Sequence, residues 1–167
     1  NIIRPTDLVE KYGVDVIRYY LLRYGPILED ADFSEDRLKE IYNADLANGL
    51  GNLVARVAKL CDKWKVSLGE TIDIDWGGEW AKSVDEFRVD LILQNIWEQI
   101  KGVDKHINEN EPWKITEDKK AREVLAWEAG QVLEIGKKLA PFMPATSGKI
   151  VAQFSNKPIK SETALFP

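Results

Sequence analysis

NADLANGLGNLVAR, residues 43–56, lies in the middle of the longest apolar repeat in the chain. Leu38, Ile41, Leu46, Leu50, Leu53, Val57, Leu60 and Trp64 recur at steps of three to five residues, the spacing of one helix face. The quoted stretch strains that reading. Asn43, Asn48, Gly49, Gly51 and Asn52 each disfavour a helix by roughly 0.5–1 kcal/mol relative to Ala. Because the apolar face continues through them, the spacing still predicts one long amphipathic helix. Its weak formers are then retained for a reason other than propensity. The two glycines would let another backbone or a ligand come close, or would permit tight helix packing.

The same period extends on both sides. Thr6 and Asp7 after Pro5 start a short helix that Gly13 closes, and Val14, Ile17, Leu21 and Tyr24 form the stripe of a second helix broken at Gly25-Pro26. Ser34 followed by Glu35 and Asp36 caps the long helix. Between Val66 and Lys82 the periodicity is lost, with a brief alternation of Ile72, Ile74 and Trp76 and one turn of helix near Trp80. Ser83-x-x-Glu86 is a capping-box pattern that predicts a second long helix carrying Phe87, Leu91, Ile96, Trp97, Ile100, Val103 and Ile107. Pro112 ends it by disfavouring helical geometry at Glu111. Thr116 opens a third, with Val124, Leu125, Val132, Ile135 and Leu139, and a short last helix covers about Ser147 to Phe154. Trp64, Trp97 and Trp127 read as core residues. No strand pattern of useful length survives, and three long stripes must bury against one another. The predicted fold is an all-α, antiparallel helix bundle.

Bulk properties narrow the function. A chain of 167 residues with 44% hydrophobic and 31% charged residues can bury one real core. A net charge of −5 excludes a domain that holds nucleic acid by a general basic field, so any such contact is local. Cys61 alone makes no internal disulfide and reads as a small buried residue of a cytosolic chain. With His106 the only imidazole, no metal centre is expected. No apolar run approaches a membrane span, so no membrane partner is expected, and the opening Asn1-Ile2-Ile3 reads as a piece of a larger protein.

Opposite the apolar stripe of the long helix, Asn48, Asn52, Arg56, Lys59 and Lys63 fall in line at helical spacing. Asn52 and Arg56, one turn apart, offer an amide and a planar guanidinium, groups suited to the edges of unstacked bases. Such a ridge also fits an ordinary solvated face. Trp113 directly follows Pro112 at a helix corner, with Lys114 beside it: a stacking platform for a base, or a core anchor. Asp30/Asp32 and Glu35/Asp36 are close acidic pairs, but they fall where caps and solvated lead-ins belong, without a nucleophile or base. No catalytic residue is assigned.

NADLANGLGNLVARV, preceded by DADFS and followed by INENEPWKI and LAPFMP, resembles the C-terminal anticodon-binding helical domain of the methionyl-tRNA synthetase family, among class I aminoacyl-tRNA synthetases. The opening NIIRPTDLVEKYGVDVIRYYLLRYGP is similar to the family segment that follows the KMSKS loop, and the closing LFP is similar to the end of this domain. The likeness covers essentially the whole chain. It implies residues 1–33 as the linking, stem-contacting segment and 34–167 as the anticodon-binding bundle. It further implies Asn52, Arg56 and Trp113 as readers of the anticodon CAU and Pro112 as the residue fixing the corner; Lys59, Lys63 and Lys114, the basic residues near these readers, are the candidates for RNA backbone contacts.

The implied partners are a methionine-accepting tRNA and an upstream catalytic domain of the same polypeptide, in the cytoplasm. ATP and Mg would serve the parent ligase, and neither would bind this segment. His106 stands where the family usually carries an aromatic residue. The anticodon-binding domain of a sister synthetase for valine, isoleucine, leucine or cysteine, or a helical protein-interaction module without an RNA role, are the alternatives.

Overall fold

The computed structural model describes residues 4–25, 33–69 and 73–166. Its elements are α1 (Pro5–Tyr12), α2 (Val14–Tyr24), α3 (Glu35–Ile41), a π-helical stretch (Tyr42–Gly51), α4 (Asn52–Trp64), α5 (Glu79–Asp85), α6 (Val89–Asn110), α7 (Asp118–Lys138) and α8 (Pro144–Phe154). No strand occurs among the described residues, and the all-α expectation holds. The acidic pair Asp30/Asp32, Pro26 and Ile72 lie outside the described residues.

The weak helix formers of the quoted stretch now have a local cause. From Tyr42 to Gly51 the helix widens to the π form while the flanking residues keep right-handed helical dihedrals, so α3, the π stretch and α4 run end to end. A wider turn absorbs the five-residue step from Ile41 to Leu46, and Leu38, Leu46, Leu50, Leu53 and Val57 all reach the core. The widening also crowds the inside of the turn. A Cβ at Gly51 would lie 3.0 Å from the Leu46 carbonyl oxygen and 3.2 Å from the Phe166 ring, so this position has little room for a side chain. Asp45, inside the stretch, accepts from the Tyr19 hydroxyl at 2.7 Å and the Tyr24 hydroxyl at 2.6 Å, and its carbonyl accepts from Trp97 Nε1 at 3.4 Å. These bonds secure the irregular turn to α2 and α6.

A single core joins this long helical path to Leu93, Ile96, Ile100, Val103 and Ile107 of α6, Leu125, Val132 and Ile135 of α7, and Ile150 and Phe154 of α8. Ser34 caps α3 as expected, its hydroxyl accepting from Arg37 N at 3.2 Å. Gly13, at φ 86°, closes α1 with its N–H on the Val9 carbonyl at 2.9 Å.

Several local expectations are corrected. In α2 the buried face is Val16, Tyr19 and Tyr20, whereas Val14 and Leu21 of the predicted stripe are 57% and 47% exposed. Polar and aromatic anchors set the rotation of that helix. Asp15 accepts from Thr146 N at 2.6 Å, Arg18 donates to the Pro141 and Phe142 carbonyls at 2.8 Å, and Tyr19 stacks on Trp97 at 4.3 Å. Ser83 lies inside α5 and starts nothing. The chain reverses at Phe87 (φ 56°, 78% exposed), and α6 begins at Val89 behind the Arg88–Asp90 pair. The third long helix starts from Glu117 rather than Thr116. α8 begins at Pro144, earlier than expected, because Asp15 supplies its N-terminal acceptor from a distant element. Trp127 is 47% exposed and not a core residue.

Candidate nucleic-acid interface

The candidate site forms where α4 meets the corner between α6 and α7. α6 stops because Glu111 takes a left-handed conformation (φ 42°) before Pro112, its N–H bonding the Ile107 carbonyl at 3.0 Å. Lys114 N closes the turn on the Glu111 carbonyl at 2.8 Å. Pro112 is buried in this corner and Trp113 is turned outward, 41% exposed. Arg56 approaches from α4. Its guanidinium carbon lies 5.0 Å from the Trp113 ring centroid. Nη1 donates to Asp104 Oδ1 at 3.1 Å and Nη2 to Asn108 Oδ1 at 2.7 Å, while Asn108 Nδ2 donates to Asp104 Oδ2 at 3.2 Å. The guanidinium of Arg56 is thus held on two edges by α6 and lies over the indole at the corner.

Beside it opens a groove of ≈ 460 Å³ whose walls include Asn48, Gly49, Asn52, Asp104 and Asn108. Asn52 is exposed on this groove, and its side chain makes no hydrogen bond among the described residues. Both its donor and its acceptor are therefore available. Lys59 and Lys63 continue α4 as exposed cations outside the groove, Lys63 lying 5.3 Å over the Trp64 ring, and Lys114 pairs with Glu111 at 2.7 Å.

Asn52, Arg56, Pro112 and Trp113 are thus gathered at one place, while Lys59 and Lys63 lie along the helix from it. Asp104 and Asn108, which orient Arg56, escaped the sequence reading. Their only signal is an acid and an amide one turn apart on the polar face of α6, a spacing common on solvated helices.

Behind the site, Glu128 of α7 is fully buried, with Oε1 3.1 Å from His106 Nδ1 and Oε2 unpartnered. Burial pushes this carboxyl above its ordinary range, opposed by His106 on α6 and Arg56 on α4. His106 packs against Trp127, the rings tilted by 33° with centroids 4.1 Å apart. Cys61 is buried as expected, its thiol pushed up to about 12 by desolvation and the nearby Glu128. Among the described residues no group of three or more His, Cys, Asp or Glu side chains could hold a metal ion, and no helix is long and apolar enough to cross a membrane. An exposed indole, a fixed guanidinium and free amides are equipment for holding a planar ligand by its face and edges.

Residues 1–58 match the family model described as tRNA synthetases class I (M), which defines the class. Methionine–tRNA ligase of Caldanaerobacter subterraneus is 35% identical over 170 residues, covering 92% of this chain and 27% of the relative. The Thermotoga maritima ligase is 33% identical, covering 96% of this chain and 28% of the relative. Among solved structures, Mycobacterium tuberculosis methionyl-tRNA synthetase bound by methionyl-adenylate aligns over 100% of this chain and 40% of that one, with a TM-score of 0.83 and 28% identity. The chain belongs to the methionyl-tRNA synthetase family. It spans about a quarter of the length of the curated relatives it matches.

Proposed function

We propose that this chain is the anticodon-binding helical domain of a methionine–tRNA ligase, and that Asn52, Arg56 and Trp113 read CAU on a methionine-accepting tRNA. The observation that carries the reading is the Arg56 guanidinium lying over Trp113 at 5.0 Å beside a groove lined by the free Asn52 amide. Trp113 offers a face for one base, and Arg56 and Asn52 offer edges for base recognition. Pro112 holds the corner, and Lys59, Lys63 and Lys114 lie within reach of the flanking backbone. In this reading residues 1–33 link an upstream catalytic domain to the bundle formed by 34–167. That catalytic domain uses ATP and Mg to activate methionine, in the cytoplasm, and the present residues take no part in the chemistry.

The test is Arg56→Ala in the full-length polypeptide, with affinity measured for a CAU transcript and for one with a changed anticodon. The substitution should cost roughly 1–3 kcal/mol on CAU and less on the other RNA, narrowing the discrimination. The Arg56–Asp104 pair is 28% and 44% exposed, so its loss should lower stability by no more than about 1 kcal/mol. Unchanged discrimination by a folded Arg56→Ala protein rejects the anticodon assignment.

A further inference from the structure

Two hollows follow one another along α6 and share a single residue. The upper one, ≈ 260 Å³, lies against α2 and is walled by Arg23, Tyr24, Trp97, Glu98 and Lys101. The lower one is the Asn52 groove, which Lys101 also lines. From Trp97 to Asn108, α6 advances about 16 Å at 1.5 Å per residue, the length of a few nucleotides rather than of one.

The charges in this trough are unequally engaged. Asp90 accepts two bonds from Arg88 at 2.7 and 2.9 Å, Asp104 is taken by Arg56, and Glu109 faces Lys105 at 3.7 Å. Glu98 receives only a long contact from the Gln94 amide at 3.4 Å. Lys101 is exposed at the junction and makes no ion pair or hydrogen bond among the described residues. Above it, the Arg23 guanidinium is boxed by Tyr19, Tyr24 and Trp97 at 5.5, 5.1 and 5.0 Å, with Nη1 turned inward to the Tyr19 hydroxyl and to Asp45 at 3.5 Å. Arg23 lines the upper hollow with its side chain 14% exposed. A rigid guanidinium above and a free ammonium below, on the residue shared with an amide-lined groove, match a phosphodiester chain better than a protein surface.

We propose that the trough between α2, the π-helical stretch and α6 carries the sugar-phosphate backbone of the RNA strand adjoining the anticodon, with Lys101 and Arg23 each on a phosphate. This rests on the reading of the chain as a tRNA-binding domain, and it adds to the base readers a second surface that positions the strand without specifying sequence. Among the described residues lining the two hollows, Glu98 is the carboxylate without a cationic partner, and it opposes binding.

The test measures equilibrium affinity of the full-length polypeptide for CAU and changed-anticodon transcripts at about 50 and about 200 mM salt. Lys101→Ala should weaken both RNAs by the same factor. That deficit should shrink about 2.5- to 3.5-fold between the two salts, the signature of one lost phosphate contact. Lys101→Arg should keep the wild-type salt slope, Glu98→Gln should tighten both RNAs, and Lys149→Ala, on exposed α8 surface, should change neither. Thermal melting should be unaffected by Lys101→Ala, since no partner is lost. A deficit that is absent, equal at both salts or confined to the CAU transcript overturns the proposal. If Arg56→Ala keeps CAU preference while Lys101→Ala shows the salt signature, the anticodon assignment fails and the trough stands. The reverse pattern rejects the trough alone.

Discussion

Replacing Asn52 with Ala should make the protein more stable and a poorer reader at once. Asn52 has helical dihedrals (φ −64°, ψ −43°) at the junction of the π stretch and α4, and its exposed side chain makes no hydrogen bond among the described residues. Nothing in the fold is lost with the amide. Ala is the better helix former by roughly 0.5 kcal/mol, which for a domain of this size raises the melting temperature by about 1–2 °C. If the amide meets a base edge, its removal costs roughly 1–3 kcal/mol of binding, or about 5- to 150-fold in affinity for a CAU transcript. A transcript with a changed base at the position read should lose less. The two signs are measured on one preparation, by thermal circular dichroism and by fluorescence anisotropy of labelled RNA at fixed salt. A merely solvated Asn52 gives the stability gain alone. A melting temperature several degrees lower, or unchanged preference for CAU, would refute the reasoning.

Trp113→Ala should weaken binding by roughly 1–3 kcal/mol with similar loss on both transcripts, because stacking tolerates any base, and Trp113→Phe should recover part of it. Asp15→Ala removes the buried acceptor of Thr146 N at 2.6 Å and should destabilise the fold by about 1–3 kcal/mol, read in urea, while leaving RNA preference untouched. For Glu128 the folded pKa lies above the unfolded value near 4.5, so its stabilising contribution is full below that pH and is lost as pH rises through the raised value. Urea unfolding of Glu128→Gln should therefore show stability relative to wild type growing from pH 5 to pH 8. A difference independent of pH contradicts the assigned direction.

Reading the residues was most successful where a periodic signal ran long. The stripe from Leu38 to Val57, the Ser34 cap and the stop at Pro112 are each specified by neighbours within a turn or two, and each lies where the period placed it. It failed where a distant group intervened. Val14 and Leu21 form a good stripe, yet Asp15, Arg18 and Tyr19 find partners on α8, its approach and α6, and those partners rotate the helix away from it. Ser83 and Glu86 have capping-box spacing, but they fall in the last turn and at the C-terminal cap of α5, before the turn at Phe87. Trp127 sits at a helical position that faces outward, and its ring covers His106 rather than the core.

The sequence by itself determined an all-helical chain with one long helix running through weak helix formers and the residues Asn52, Arg56, Pro112 and Trp113 as candidates, because periodicity, caps and breakers are local and additive along the chain. It also held the five-residue step that marks the π stretch, since core-facing positions must stay in line whatever the turn. Only the tertiary structure decided that Arg56 lies on Trp113, that Asp104 and Asn108 hold it there, and that Lys101 lines two neighbouring hollows. Those juxtapositions depend on how α2, α4 and α6 rotate and approach one another. That rotation is set by many weak contacts among residues far apart in the chain, which no local pattern encodes.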